Sequence, residues 1–154
     1  ACLIIRKGFK KEDFAFYHPG GSLGRQLLLT VEDIMRKGPR FARVQEHVKV
    51  KDVLLSITRS RCGSACILDK REKCVGIFTD GDLRRHIESD DRLLDRAVKD
   101  VMTRNPATIS KDKLAVEALR ILQEKKIDEL PVVDGRNRLV GLLDVQDLLK
   151  AGLV

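Results

Sequence analysis

The stretch Gly76-Ile77-Phe78-Thr79-Asp80-Gly81-Asp82-Leu83-Arg84-Arg85 holds the residue types best suited to chemistry. An apolar run ends in Thr79, and a helical pattern begins within three residues. Amides at such a helix N-terminus have no intrahelical acceptor and point outward. Thr79 adds a hydroxyl that both donates and accepts. Asp82 is a carboxylate acceptor suited to a sugar diol, and Arg84 and Arg85 carry charge that could meet a phosphate or carboxylate. Together these parts suit a phosphorylated, ribose-containing ligand. The same residues also admit a plainer use, with Asp82 capping the helix and the arginines solvated.

A second turn, Gly141-Leu142-Leu143-Asp144-Val145-Gln146-Asp147-Leu148, has the same form but other chemistry. Asp144 stands where the first turn has its hydroxyl, and Leu149-Lys150 replace the paired arginines. A second carboxylate repels phosphate, so the charged end of one anionic ligand is expected at the first turn. The second could still hold a sugar or base.

Other constellations are weaker. The chain has no GxSxG, P-loop, HExxH or acid-partnered GxGxxG. His18, His47 and His86 are far apart, and His18 precedes the Gly-rich turn Pro19-Gly20-Gly21-Ser22-Leu23-Gly24, which could approach a ligand or another chain. Cys62, Cys66 and Cys74 with His86 have a spacing that zinc could use. Cys66 and Cys74 fall in apolar runs, however, where a free thiol acts as a small hydrophobe, so no metal is expected. No disulfide framework is evident, which fits a reducing cytoplasm.

An internal repeat supplies the elements that must position these turns. Val31-Glu32-Asp33-Ile34-Met35 recurs as Val98-Lys99-Asp100-Val101-Met102 at an offset of 67, and residues 75–83 recur as 140–148 at an offset of 65. In the first copy a short helix is expected over Val31–Arg36, an extended stretch over Arg40–Gln45 and a helix through Val50, Val53, Leu54 and Ile57. Gly63 is the expected helix cap, followed by strands at Ala65–Asp69 and Cys74–Thr79. A closing helix, Leu83–Glu88, would be opened by Asp80 or Asp82. The second copy repeats this order, with a helix at Val98–Met102, a stripe at Ala115, Ala118, Leu119 and Leu122, and strands at Leu130–Val133 and Leu139–Leu143. The predicted fold is α+β: two β-α-β-β-α units related by a pseudo-twofold axis. Each copy is small for independent stability, so they should share a buried face.

Composition narrows the function classes. Of 154 residues, 43% are hydrophobic and 34% charged, which permits a core, and aliphatic runs no longer than Leu27-Leu28-Leu29 are far too short to span a bilayer. The net charge of +7 is lopsided: residues 1–90 hold 18 Lys/Arg against 12 Asp/Glu. Basic and acidic residues interleave and aromatics are only 4%, so neither a nucleic-acid stripe nor a stacking platform is expected. Phe9, Phe14, Phe16 and Tyr17 cluster in a leader with nothing nearby to pack against, as at the cut end of a neighbouring domain.

The duplicated pattern, with GIFTDGDL and VGLLDVQDL at the two turns, resembles a tandem CBS domain pair, a Bateman module. The leader, with Glu12-Asp13-Phe14-Ala15, His18-Pro19-Gly20-Gly21-Ser22-Leu23-Gly24-Arg25 and Leu27–Leu29, resembles the junction between sugar-isomerase (SIS) and CBS parts in bacterial arabinose-5-phosphate isomerases. The resemblance implies residues 1–27 as an SIS remnant and linker, 28–90 as the first CBS domain and 91–154 as the second. It implies a cytoplasmic regulatory module in Kdo and lipopolysaccharide synthesis that binds a nucleotide or nucleotide sugar. CMP-Kdo is the pathway-end candidate and an adenine nucleotide the alternative. His18 matches a histidine implicated in the isomerase site, inactive in this chain alone. The expected ligand residues are Gly63, Ser64, Thr79, Asp82, Arg84, Arg85, Thr108, Asp144 and Asp147. A homodimer through the CBS pairs is expected, with no cofactor, metal, nucleic-acid or membrane partner. The competing expectation is a ligand-free CBS scaffold that only mediates oligomerisation.

Overall fold

Two amphipathic helices carry the apolar stripes read from the sequence. In the computed structural model, which describes residues 22–154, they are α3 (Val50–Ser60) and α5 (Ala115–Lys125). The first buries Val50, Val53 and Ile57, and the second buries Ala115, Ala118, Leu119 and Leu122. Each ends on a basic residue in the left-handed region, Arg61 at φ 58° and Lys126 at φ 54°. The helix stop therefore precedes Gly63, which is not the cap.

The remaining elements fall into two sheets. The first has the order β1 (Ala42–Gln45), β2 (Ser64–Leu68), β3 (Cys74–Thr79), β4 (Thr103–Arg104). The second has the order β5 (Ile109–Ser110), β6 (Glu129–Val133), β7 (Leu139–Asp144). In both, the first pair is parallel and the hairpin antiparallel. The hairpin registers agree across the repeat: Ala65 faces Phe78 as Leu130 faces Leu143. Their turns are built alike. The Asp69 carboxylate accepts from the amides of Arg71 (2.8 Å) and Lys73 (3.0 Å), and Asp134 accepts from Arg136 (2.8 Å) and Arg138 (3.0 Å).

The short segments opening each copy cross to the other one. After α1 (Ser22–Leu28) and α2 (Val31–Ile34), the chain is extended at Met35, and Arg36 pairs with Leu142 of β7. The helix expected over Val31–Arg36 is cut short because Arg36 exchanges two backbone bonds with Leu142, at 2.8 and 3.1 Å. Reciprocally, Val98–Asp100 is a 3-10 turn rather than part of a helix to Met102, and Thr103–Arg104 pairs with β3. Leu27, Val31 and Met35 pack in the second core, while Val98, Val101 and Met102 pack in the first.

This exchange explains two strand glycines. Met102 lies over Gly76, and Met35 lies over Gly141, each so close that a Cβ would collide with the thioether. The exchange also brings residues 103–107 beside the first copy's strand-to-helix turn. Helices α4 (Asp80–Ile87) and α6 (Val145–Lys150) close the two copies. Among the described residues, no helix is long and apolar enough to cross a membrane.

Candidate functional site

The first turn is held by a reciprocal cap. Thr79, not Asp80 or Asp82, is the N-cap of α4. Its hydroxyl accepts from the Asp82 amide at 3.4 Å, and the Asp82 carboxylate accepts from the Thr79 amide at 2.9 Å. The sequence T-x-x-D satisfies two orphan amides at once. The amides of Asp80 and Gly81, at the first two helical positions, have no intrahelical acceptor.

These amides open onto a cleft of about 870 Å³ between the two copies. Gly63, Thr79–Gly81, Arg84 and Arg85 form one wall. Thr103 and 105–107 form the facing wall, and Lys125–Glu129 close the end. Four cations, Arg84, Arg85, Lys125 and Lys126, and three carboxylates, Asp80, Asp128 and Glu129, line one space with the unpaired helix amides, the two arginines lying on the same helix as those amides. Such a setting favours an anionic group.

Asp82 lies at the base of this space, only 1% exposed. One oxygen accepts from the Thr79 amide (2.9 Å) and the Thr79 hydroxyl (3.3 Å). The other accepts from the Thr103 hydroxyl (2.8 Å) and from Arg85 Nη2. Its acceptor sites are therefore filled by the protein. A sugar diol would have to take over from Thr103 or Arg85, and the Arg85 side chain, 64% exposed, is the one free to swing away.

Glu129, at the end of the cleft, introduces a titratable group. Burial pushes its carboxyl up to about 7, with further contributions from Asp144, Asp128 and Asp80, while Arg36 opposes them. Asp144 is its cross-strand neighbour. A group with this value changes charge near physiological pH, inside a space suited to anions.

The sequence-predicted residues distribute unevenly. Gly63, Thr79, Arg84 and Arg85 line the cleft, and Asp82 supports it from below. Ser64 is fully buried behind Gly63, and its hydroxyl has no hydrogen-bond partner among the described residues. Thr108 is exposed and outside the cleft lining, where residues 105–107 take its place. Asp144 and Asp147 belong to the second copy's turn. Asp144 caps α6 by accepting from the Gln146 amide at 2.8 Å, and Asp147 pairs with Arg36 at 3.1 Å. His18 lies outside the described residues. No group of His, Cys, Asp and Glu among the described residues is arranged to hold a metal ion.

Thr103, Asn105, Lys125, Lys126 and Glu129 escaped the sequence reading. One available signal was the repeat itself: extending the Met35/Met102 match by one residue pairs Arg36 with Thr103.

Comparison with known proteins follows the same division. The CBS domain family model matches residues 31–89 and again 98–154. The chain is similar to the protein named arabinose 5-phosphate isomerase KdsD of Pseudomonas aeruginosa, 43% identical over 99% of this chain and 47% of that protein. KdsD of Escherichia coli strain K12 is likewise 43% identical, over 99% of this chain and 46% of its own length. The chain thus spans about half the length of the curated relatives it matches. Among solved structures, CBSX2 in complex with AMP superposes with a TM-score of 0.70 at 27% identity, covering 81% of this chain and 96% of that one.

Proposed function

The chain belongs to the CBS domain family, and on that premise we propose that it is the regulatory, ligand-sensing CBS pair of an arabinose 5-phosphate isomerase. The ligand is an anionic nucleotide or nucleotide sugar bound in the cleft between the copies. The observation that supports this reading is that Arg84, Arg85, Lys125 and Lys126 line the same cleft as the unpaired amides at the start of α4, with Asp82 buried beneath Thr79. The phosphate sits against those amides and the arginines. The ribose hydroxyls replace Arg85 on Asp82. AMP bound to the related CBSX2 supports the nucleotide class. CMP-Kdo, with a ribose, a phosphate and a sugar carboxylate, fits the cationic cleft and would make the module a feedback sensor in Kdo synthesis; an adenine nucleotide is the alternative.

In this reading residues 1–27 come from the end of a sugar-isomerase (SIS) domain, and His18 acts as an acid or base only in the intact cytoplasmic enzyme. Residues 28–90 and 91–154 are the two CBS domains. Two such chains pair through their CBS units, which would cover the exposed apolar side chains of Leu55 and Leu94. The competing scaffold reading, with no ligand, draws its support from the saturation of Asp82 by protein donors.

Calorimetric titration with AMP, CMP and CMP-Kdo separates the two. A charge-assisted hydrogen bond contributes about 1.5–3 kcal/mol, so Asp82→Ala or Arg84→Ala should weaken binding roughly tenfold or more. Unchanged affinity in both variants moves the site elsewhere, and absence of heat with every nucleotide favours the scaffold.

A further inference from the structure

The two copies meet equivalent positions with opposite chemistry. Ser64 and Thr79 are cross-strand partners in the first sheet, and Glu129 and Asp144 occupy the same register in the second. A pair of hydroxyls is thus replaced by a pair of carboxylates. At the base of the first turn Asp82 accepts from the Thr103 hydroxyl, and at the base of the second Asp147 accepts from Arg36.

Arg36 is held differently from the arginine that reaches Asp82. Its Nε donates to both Asp147 oxygens, at 3.1 and 3.2 Å. Its backbone is fixed by two bonds to Leu142, and its side chain is 11% exposed against 64% for Arg85. Arg85 reaches Asp82 from solvent along the same short helix and can leave. Arg36 arrives from the exchanged segment, beneath Met35, which packs over Gly141. Releasing it would expose a buried carboxylate beside Asp144 and Glu129 with no compensating cation.

We infer that Arg36 is the chain's own occupant of the second turn, and that it makes the CBS pair a one-site module for anionic ligands. The guanidinium occupies the acceptor that a ribose diol would need. Asp144, standing where the first turn has the Thr79 hydroxyl, repels the phosphate that would accompany it. The difference between the two turns is thus set by one residue from the segment that opens the first copy and crosses to the second. The stoichiometry rests on the nucleotide reading proposed above; the buried occupant does not.

Two measurements on the full chain keep these parts separate. In a nitrogen-15 spectrum, one arginine Nε–H should exchange with solvent at least about tenfold more slowly than those of Arg84 and Arg85, as expected for a buried, charge-assisted bond. That signal should vanish in Arg36→Lys and shift in Asp147→Asn. If no arginine Nε–H is protected, the occupant is refuted. In calorimetry with AMP and CMP as probes, the native chain should take one equivalent. The double variant Arg36→Thr/Asp144→Thr, which installs the first copy's residues at the base and cap of the second turn, should take a second. Two equivalents in the native chain, or one in a folded double variant, would overturn the role of Arg36. Absence of heat in both proteins with a protected Arg36 N–H would sink the nucleotide reading while supporting the internal occupant.

Discussion

Glu129→Gln tests the electrostatics of the cleft most directly. Burial is the main reason its carboxyl titrates at about 7 instead of near 4.5, with Asp144, Asp128 and Asp80 adding repulsion. Below the unfolded value both states hold the proton, so the residue contributes no pH-dependent cost. As pH rises from about 4.5 to about 7, the unfolded chain releases its proton first, and stability falls. Above about 7 the full cost is present. At roughly 1.4 kcal/mol per unit the unscreened cost approaches ~3 kcal/mol. The group is only partly buried, so screening reduces this to about 1–2 kcal/mol. Glutamine keeps the shape and removes the charge. Thermal unfolding of Glu129→Gln at pH 8 should therefore show Tm raised by roughly 2–8 °C, since 1 kcal/mol moves a domain of this size by roughly 2–4 °C. At pH 4 the two proteins should melt within about a degree of one another, because both the native and the unfolded carboxyl largely hold the proton there. An equal shift at both pH values, or a loss of stability at pH 8, would refute a desolvated, repelled carboxylate at the end of the cleft.

The same group couples ligand to protons. An anion seated in the cleft should raise the Glu129 value further, so nucleotide binding near pH 7.5 should take up a fraction of a proton, read as a dependence of the calorimetric enthalpy on the buffer's ionisation heat; Glu129→Gln should abolish that dependence. The exchanged methionines give a structural test. A Cβ on Gly76 meets only the flexible Met102 side chain, whereas one on Gly141 meets the Arg36 carbonyl at 2.7 Å as well as Met35. Gly141→Ala should therefore cost more than Gly76→Ala in urea unfolding, with the overpacking cost about 1–3 kcal/mol; the reverse order would contradict the packing. Thr79→Ala removes the cap of α4 and should destabilise by about 1 kcal/mol, while Thr79→Ser should be nearly neutral.

The repeat, its helical stripes and its hairpins were legible because their signals are local. Period 3.6 at Val50, Val53 and Ile57, period 2 in the strands and an Asp opening each hairpin turn are set by neighbours in the chain. The turn at 79–85 was legible for the same reason: hydroxyl, carboxylate and arginines lie within seven residues. Local signals also misled. Gly63 resembles a helix stop, yet the helix ends on Arg61, whose left-handed backbone turns its amide onto the Thr58 carbonyl. Asp80 and Asp82 resemble caps, yet Thr79 takes that role and leaves Asp82 to answer it.

From its own residues the sequence determined that there are two similar α+β units, that the first turn carries hydroxyl and arginine chemistry, and that the second carries carboxylates. Only the tertiary structure decided which segment faces which turn. The pieces that open each copy cross to the other, so Thr103 meets Asp82 across 21 residues and Arg36 meets Asp147 across 111. No periodicity reports such a crossing. It is favoured by burying Met35 over Gly141 and Met102 over Gly76, a gain that exists only once both sheets are in place.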